Sequence, residues 1–172
     1  LVRFTSDPST AVNPIWSPDN RIAFGSNRSA GVDLFQKDAA GTGGDELLVT
    51  SPHIKSAMDW SPDGRVLLYR DADPVGGFDI WAFPLDSRKP FPVVQTKFQE
   101  RDAQFSPDGK WMAFQSDETG RFEVYVQAFP GPGPKWPIST GGGAQVRWRR
   151  DGKELFYIGL DRRLMAVPIE LR

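Results

Sequence analysis

The hydrophobic pattern of this chain consists of short apolar runs separated by polar turns, and the pattern repeats four times. Each repeat opens with an aromatic residue, a turn of the Ser-Pro-Asp-Gly type and a basic residue. The four aromatic residues are Trp16, Trp60, Phe105 and Trp148, with spacings of 44, 45 and 43 residues. A period this constant indicates one supersecondary unit used repeatedly.

Each repeat is predicted to form four short strands. The apolar run after the turn, for example residues 66–69, is nearly continuous, which is typical of a strand covered on both faces. A polar loop then leads to a third strand that starts with an acidic residue, Asp33, Asp79 or Glu123, in three repeats. A β-branched fourth strand ends the unit. Four strands in one repeat describe a propeller blade.

The turn sequence predicts a specific backbone geometry. In residues 61–64, Pro presets φ for the first central position and Asp suits the second, while Gly takes a left-handed conformation. We therefore expect positive φ at Gly64 and Gly109. Asn20 replaces the glycine in the first repeat and is one of the few side chains that tolerate positive φ.

The first five residues are in register with the fourth strands. Thr5, Thr50, Thr96 and Thr140 are spaced by 45, 46 and 44 residues, whereas the last repeat stops after its third strand. We predict an all-β fold, a β-propeller of four four-stranded antiparallel blades closed by the N-terminal strand, which completes the last blade. Residues 2–5 would then pair with residues 164–167.

This arrangement makes residues 1–172 a single domain, with repeats near 6–50, 51–96 and 97–140 and a last repeat formed by 141–172 plus 1–5. A closed monomer is the preferred interpretation. Two chains forming a larger, eight-bladed ring are the alternative.

Composition excludes several classes of partner. The net charge is −1, from 21 basic and 22 acidic residues, and no segment is basic enough to suggest nucleic-acid binding. No apolar run has the length of a membrane span, so direct membrane insertion is not expected. Cysteine is absent, which excludes disulfides and thiol catalysis.

Catalytic patterns are missing from the sequence. There is no Gly-x-Ser-x-Gly elbow, P-loop or dinucleotide motif, and His53 is the only histidine. We expect no catalytic residue, no cofactor and no metal. Asp71 and Asp73, together with Asp79, could hold a hard cation, but they supply too few ligands, and turn capping is the alternative.

Loops held on a rigid ring are where binding residues usually lie. One rim carries the longer and more charged loops, and the residue before each repeat aromatic is expected beside the axis. We expect recognition of a protein segment or a small polar ligand there, with solvated loops as the alternative. The candidate residues are Arg28, His53, Asp59, Asp71, Asp73, Arg101, Gln104, Asp117, Arg121 and Arg147.

One basic cluster surrounds Trp148, namely Arg147, Arg149, Arg150 and Lys153. Strand alternation places Arg147 and Arg149 on the face opposite Trp148, so no stacking platform results. A solvated rim is therefore favoured over a phosphate site.

The repeat resembles the TolB-type propeller repeat over nearly the entire chain. The resemblance is carried by the turn at residues 60–65, by third strands of the Asp-Leu-Phe type at residues 33–35, and by closing strands such as residues 47–50. More narrowly, residues 111–130 and 148–168 resemble the C-terminal propeller of bacterial transmembrane Ser/Thr protein kinases. The chain departs from both families, because TolB-type propellers are six-bladed and no kinase domain is present.

The resemblance implies a non-catalytic binding or sensory scaffold, in the periplasmic or extracytoplasmic part of a larger bacterial protein. The alternative is the substrate-gating propeller of a serine peptidase of the prolyl-oligopeptidase kind, whose hydrolase domain would be separate. The neighbouring domain in the full-length gene would distinguish these two classes.

Overall fold

The computed structural model describes residues 3–29 and 31–170, which form fifteen β-strands and no helix. Over these residues, therefore, no helix is long and apolar enough to cross a membrane. In chain order the strands are β1 (Ala11–Trp16), β2 (Arg21–Ser26), β3 (Asp33–Asp38), β4 (Glu46–Val49), β5 (Ile54–Trp60), β6 (Val66–Asp73), β7 (Gly77–Pro84), β8 (Phe91–Val94), β9 (Glu100–Phe105), β10 (Trp111–Ser116), β11 (Glu123–Ala128), β12 (Lys135–Pro137), β13 (Ala144–Trp148), β14 (Glu154–Ile158) and β15 (Leu164–Pro168).

These strands form four antiparallel sheets, each made from one sequence repeat. Sheet 1 contains β1 to β4, sheet 2 contains β5 to β8, sheet 3 contains β9 to β12, and sheet 4 contains β13 to β15. Strands that follow each other in the chain are neighbours within every sheet, because short turns connect them. The predicted all-β fold is confirmed, with four antiparallel sheets, of which three have the predicted four strands and the last has three among the described residues.

Hydrophobic residues from facing sheets form one core cluster at each of three junctions. At the first junction, Ala23 and Leu34 of sheet 1 pack with Trp60, Leu67 and Tyr69 of sheet 2. The other two clusters repeat this arrangement further along the chain. Consecutive residues of a strand point to opposite faces, so a strand between two junctions needs an apolar residue at nearly every position.

The predicted turn geometry is confirmed. Gly64 has a φ of 70°, Gly109 has a φ of 71°, and Asn20, which replaces the glycine, has a φ of 63°. The turns also stack on one another, since a Cβ added to Gly109 would lie 3.3 Å from Cδ of Pro62 in the preceding turn. Each turn therefore contributes to the packing between neighbouring sheets.

The predicted closing strand is not found over the part of it that the structure describes. Sheet 4 has three described strands, and residues 3–5 form no strand. The Phe4 carbonyl instead accepts a hydrogen bond of 3.1 Å from Nζ of Lys37 in sheet 1, and that ammonium lies 5.4 Å from the centre of the Phe4 ring. A buried ammonium needs such partners. Val2, the other end of the predicted strand, lies outside the described residues.

The first and last sheets each present a face that its equivalents elsewhere in the chain bury. Trp16 is 65% exposed, whereas Trp60 at the same position of the second repeat is 4% exposed. Leu164 of sheet 4 is 67% exposed, whereas its equivalent Leu34 is fully buried. Closure of the ring between sheets 4 and 1 is thus not seen among the described residues.

The two equivalent tryptophans provide a matched test of this packing. We expect Trp60→Ala to lower the free energy of unfolding by about 3–5 kcal/mol, because it leaves a cavity at a junction. Trp16→Ala, which removes a mostly exposed ring, should cost less than about 1 kcal/mol. Urea unfolding of both variants measures the difference, and equal losses would contradict the assigned junction.

A second stability test concerns the turn. Gly109→Ala should lower the free energy of unfolding by about 1 kcal/mol or more, because a Cβ is strained at positive φ and here also presses on Pro62. The control is Gly44→Ala, at a loop position with open space around the added Cβ. Similar unfolding midpoints for the two variants would show that the turn does not require glycine.

Candidate binding pocket between the inner strands

The first strand of each sheet contributes to the wall of one shared pocket of about 280 Å³. These inner strands are β1, β5, β9 and β13, and β6 adds one further side chain. Polar side chains dominate the wall, and they come from different repeats. They are Asn13, Ser56, Arg70, Asp102, Gln104 and Arg147.

Bulges in the inner strands shape this pocket. The pairing register shifts between Val12 and Ile15 in β1, and equivalent shifts occur in β5, β9 and β13. Asn13, Asp102 and Gln145, each three residues before a repeat aromatic, have φ values of 50°, 53° and 55°. A bulge changes the direction in which side chains point. Non-glycine residues with a left-handed backbone conformation are concentrated at functional sites.

Two arginines bring unused hydrogen-bond donors to the pocket. The guanidinium of Arg70 forms no hydrogen bond among the described residues, and its Nε is buried. Its contact is with the ring of Phe78, 4.4 Å from the guanidinium carbon. Arg147 donates one hydrogen bond of 2.7 Å, from Nη1 to the carbonyl of Val146. Since a guanidinium carries five N–H donors, both side chains retain capacity for an anionic ligand.

The Arg70 guanidinium is partly buried and lies near the negative charge of Asp102. Burial lowers the pKa of Arg70, and the charge of Asp102 opposes that shift. Asp102 is held in place by Nε2 of Gln115, which donates to Oδ2 over 2.8 Å. Oε1 of the same glutamine accepts a weaker bond of 3.4 Å from Nε of Arg101. The pocket therefore has a fixed acidic group beside the two arginines.

Of the four residues predicted beside the axis, Ile15, Gln104 and Arg147 line the pocket and Asp59 does not. Nε2 of Gln104 donates to the Met58 carbonyl over 3.4 Å. Asp59 is not part of the wall, because its Oδ2 accepts a hydrogen bond of 2.8 Å from the backbone N–H of Phe105. Burial raises the pKa of Asp59 to about 6, against the opposing effects of that N–H and of the Arg147 charge.

The residues predicted on the rim are mostly engaged in contacts within the chain. Arg28 is bonded to Asp45 and lies over the ring of Phe35, 4.4 Å from its centre. Nδ1 of His53 is 2.6 Å from Oδ1 of Asp71.

The remaining rim candidates behave similarly. Asp73 accepts a hydrogen bond of 2.8 Å from the N–H of Val75, which is turn capping. Asp117 accepts the N–H of Gln99 over 2.8 Å. Arg101 stacks on the ring of Phe122 at 3.7 Å, and Arg121 lies 3.1 Å from Glu123. The structure does not bring these rim side chains to the pocket, so a role for them in binding stays a prediction.

Sequence reasoning missed Arg70, Asn13, Ser56 and Asp102. A signal for two of them was present, because the third residue before the aromatic is polar in three of the four repeats. Asn13 also joins neighbouring sheets, since its Nδ2 donates to Oγ of Ser56 over 2.7 Å. Arg70 carried no such signal, because Gly25, Gln115 and Ile158 occupy its position in the other repeats.

Known structures share this arrangement of sheets. A TolB-type protein from Agrobacterium tumefaciens superposes with a TM-score of 0.83 at 18% identity, over 96% of this chain and 64% of that one. The chain has the TolB-like β-propeller fold. TolB from Acinetobacter baumannii gives a TM-score of 0.75 at 22% identity, over 95% of this chain and 41% of TolB. This chain thus spans less than two thirds of the length of either TolB-like propeller.

Sequence comparisons are more limited. No family model matches the chain. An uncharacterised protein of Agrobacterium fabrum is 32% identical over 85 residues, which is 49% of this chain and 28% of that protein. The TolB-like fold is therefore shown by structure, and the activity of any larger parent protein is a matter for proposal.

The buried carboxyl of Asp59 predicts a pH dependence of stability. The Asp59 carboxyl has a pKa near 6 in the folded state and about 3.9 in the unfolded state, so the folded protein holds the proton up to a higher pH. The contribution of this proton to the free energy of unfolding is therefore full below pH 4 and is lost as the pH rises through 6. Relative to Asp59→Asn, the wild type should lose about 2–3 kcal/mol of stability between pH 4 and pH 7. Denaturant unfolding at both pH values measures this, and a difference independent of pH would contradict the assigned burial.

Proposed function

We propose that this TolB-like propeller is a non-catalytic recognition domain that binds a segment of another protein at the pocket between the inner strands. Arg70 and Arg147 would receive a carboxylate of that segment. The observation that carries the proposal is the pair of arginines with unused donors in one polar pocket.

The chemistry of the wall favours a carboxylate. The planar guanidinium matches the two oxygens of a carboxylate, and such charge-assisted bonds are roughly twice as strong as neutral ones. Two arginines against Asp102 leave the wall positive. The volume of about 280 Å³ lies just below the range of about 300–1,000 Å³ usual for small-molecule sites, so the pocket suits a side chain or a chain terminus.

The non-catalytic part of the proposal rests on the chemistry that the sequence contains. His53 is the single histidine, and among the described residues its imidazole is hydrogen-bonded to Asp71 and to no Ser or Thr hydroxyl. A nucleophile with an adjacent base is therefore not assembled at the pocket among the described residues. Mixed charge around the pocket also favours a protein segment over a polyanion.

The resemblance of the repeats supports a location and a context. We propose that the domain works outside the cytoplasm, in the periplasm or at the cell surface, as the sensory or interaction part of a larger bacterial protein. Attachment to a transmembrane Ser/Thr kinase is one such context. Sequencing the flanking regions of the gene tests it directly.

The binding proposal can be tested with displayed peptides that have free C-termini. Peptides selected on the wild type should lose at least about tenfold in affinity for Arg70→Gln and for Arg147→Gln, since a hydrogen bond to a charged group contributes about 1.5–3 kcal/mol. Fluorescence anisotropy measures the affinities. Amidation of the C-terminus shows whether the terminal carboxylate is the group recognised.

The matched control is Arg149→Gln. Arg149 is half exposed and bonds Glu154 over 2.8 Å, away from the pocket, so its loss should leave peptide affinity unchanged. Loss of binding with this control and not with the pocket variants would place recognition elsewhere. Cleavage of the peptides by the purified chain would contradict a non-catalytic function.

A further inference from the structure

Buried charged groups occupy equivalent positions at the junctions between sheets. At the first junction, Nζ of Lys55 is fully buried and lies 3.6 Å from Oδ1 of Asp33. The same ammonium donates to the carbonyls of Ser51, over 3.1 Å, and of His53, over 2.9 Å. One negative and one positive charge therefore balance each other at this junction.

The second junction has equivalent strands and an equivalent turn, but a different side chain stands at the position of Lys55. Asp79 precedes Ile80 in the third strand of its repeat as Asp33 precedes Leu34, and Glu100 stands five residues before Phe105, as Lys55 stands five before Trp60. The local turn is also preserved. Oγ of Ser51 accepts the N–H of His53 over 3.2 Å, and Oγ1 of Thr96 accepts the N–H of Phe98 over 3.0 Å. A carboxylate thus replaces an ammonium within an equivalent frame.

Both carboxylates of the second junction have a buried oxygen without a hydrogen-bond partner among residues 3–29 and 31–170. Asp79 is 4% exposed and Glu100 is fully buried, and the oxygens concerned are Oδ1 of Asp79 and Oε2 of Glu100. The other two oxygens are satisfied by Gln95, Thr96 and Ser116. Burial raises the pKa of both groups, and the charge of Asp79 adds to the shift at Glu100.

The third junction shows what a buried carboxylate receives where no lysine is present. Both oxygens of Glu123 accept the N–H of Gly142 over 2.9 Å, Oε2 also accepts the hydroxyl of Ser139, and Arg121 lies 3.1 Å away. The first and third junctions therefore supply a cation or N–H donors to their acidic residue. The second supplies Asp79 with the side-chain N–H of Gln95, but at the position of Lys55 it has a further carboxylate, Glu100.

We propose that a Ca²⁺ ion binds at the second junction between Oδ1 of Asp79 and Oε2 of Glu100, as the counterpart of the Lys55 ammonium at the first. Two carboxylates carry a charge of −2, so a divalent ion gives the neutrality that Asp33 and Lys55 already have. Ca²⁺ accepts carboxylates, backbone carbonyls and water in flexible geometry, whereas Mg²⁺ demands near-ideal octahedral ligands.

The ligand set would combine two side chains with the main chain. Among the described residues no group of three or more His, Asp or Glu side chains could hold a metal. The carbonyls equivalent to those that bind Lys55 belong to Thr96 and Phe98, and they supply the same type of donor. The inference concerns stability at a junction and is independent of the pocket between the inner strands.

Thermal unfolding in EDTA and in excess Ca²⁺ tests the site. The wild type should gain about 5 °C or more in Tm at a hundredfold excess over Kd, and Glu100→Gln should lose this gain, because one charged ligand is gone. Glu100→Lys should have a Tm independent of Ca²⁺ and above that of the wild type in EDTA, because it recreates the first junction. Equilibrium dialysis of the wild type should find one bound ion per chain, which keeps the test valid if a variant fails to fold.

The control is Asp73→Asn, which removes a carboxylate that caps a turn in sheet 2. It should retain the full response to Ca²⁺. Loss of the response in this variant would place the ion at Asp71 and Asp73 and overturn the proposal. A wild type that binds no Ca²⁺ by dialysis would show that the two carboxyls hold a proton instead, which would also overturn it.

Discussion

The packing of each repeat aromatic against the preceding sheet is the interaction on which the structure depends. A single four-stranded sheet cannot bury both of its faces, so each repeat gains its core only from a neighbour. Trp60 and Phe105 are buried in this way, and Trp16 remains exposed where the described residues supply no preceding sheet. The same packing fixes the angle between sheets and so brings four inner strands to one pocket.

Packing between the sheets buries polar groups at the junctions away from water, so these groups need partners within the protein. A buried charge is tolerated when it is paired and hydrogen-bonded, as Lys55 is with Asp33. The inner strands are limited by space instead, because they come together at the pocket and cannot all carry large apolar side chains there. Bulges at Asn13 and Asp102 direct polar groups there, which gives the four sheets a polar pocket between their inner strands.

Much of the fold could be predicted from the sequence, because the repeat is local. The period, the strand order within a sheet and the positive φ of Gly64 follow from residues close together in the chain. The closing strand could not be predicted in this way, since the position of Phe4 depends on the buried ammonium of Lys37, far along the chain. Arg70 was missed because its exposure to the pocket depends on four sheets meeting. Charged rim residues such as Arg28 were predicted to be available for binding, but in the fold Arg28 forms an ion pair with Asp45, which is distant in the chain.

The central claim is that two arginines between the inner strands present unused donors to a carboxylate. NMR observation of arginine Nε–H resonances during titration with glutarate tests it most directly. The account predicts saturable downfield shifts for Arg70 and Arg147, with the resonance of Arg149 unchanged. Absence of any shift at Arg70 and Arg147, or an equal shift at Arg149, would contradict it.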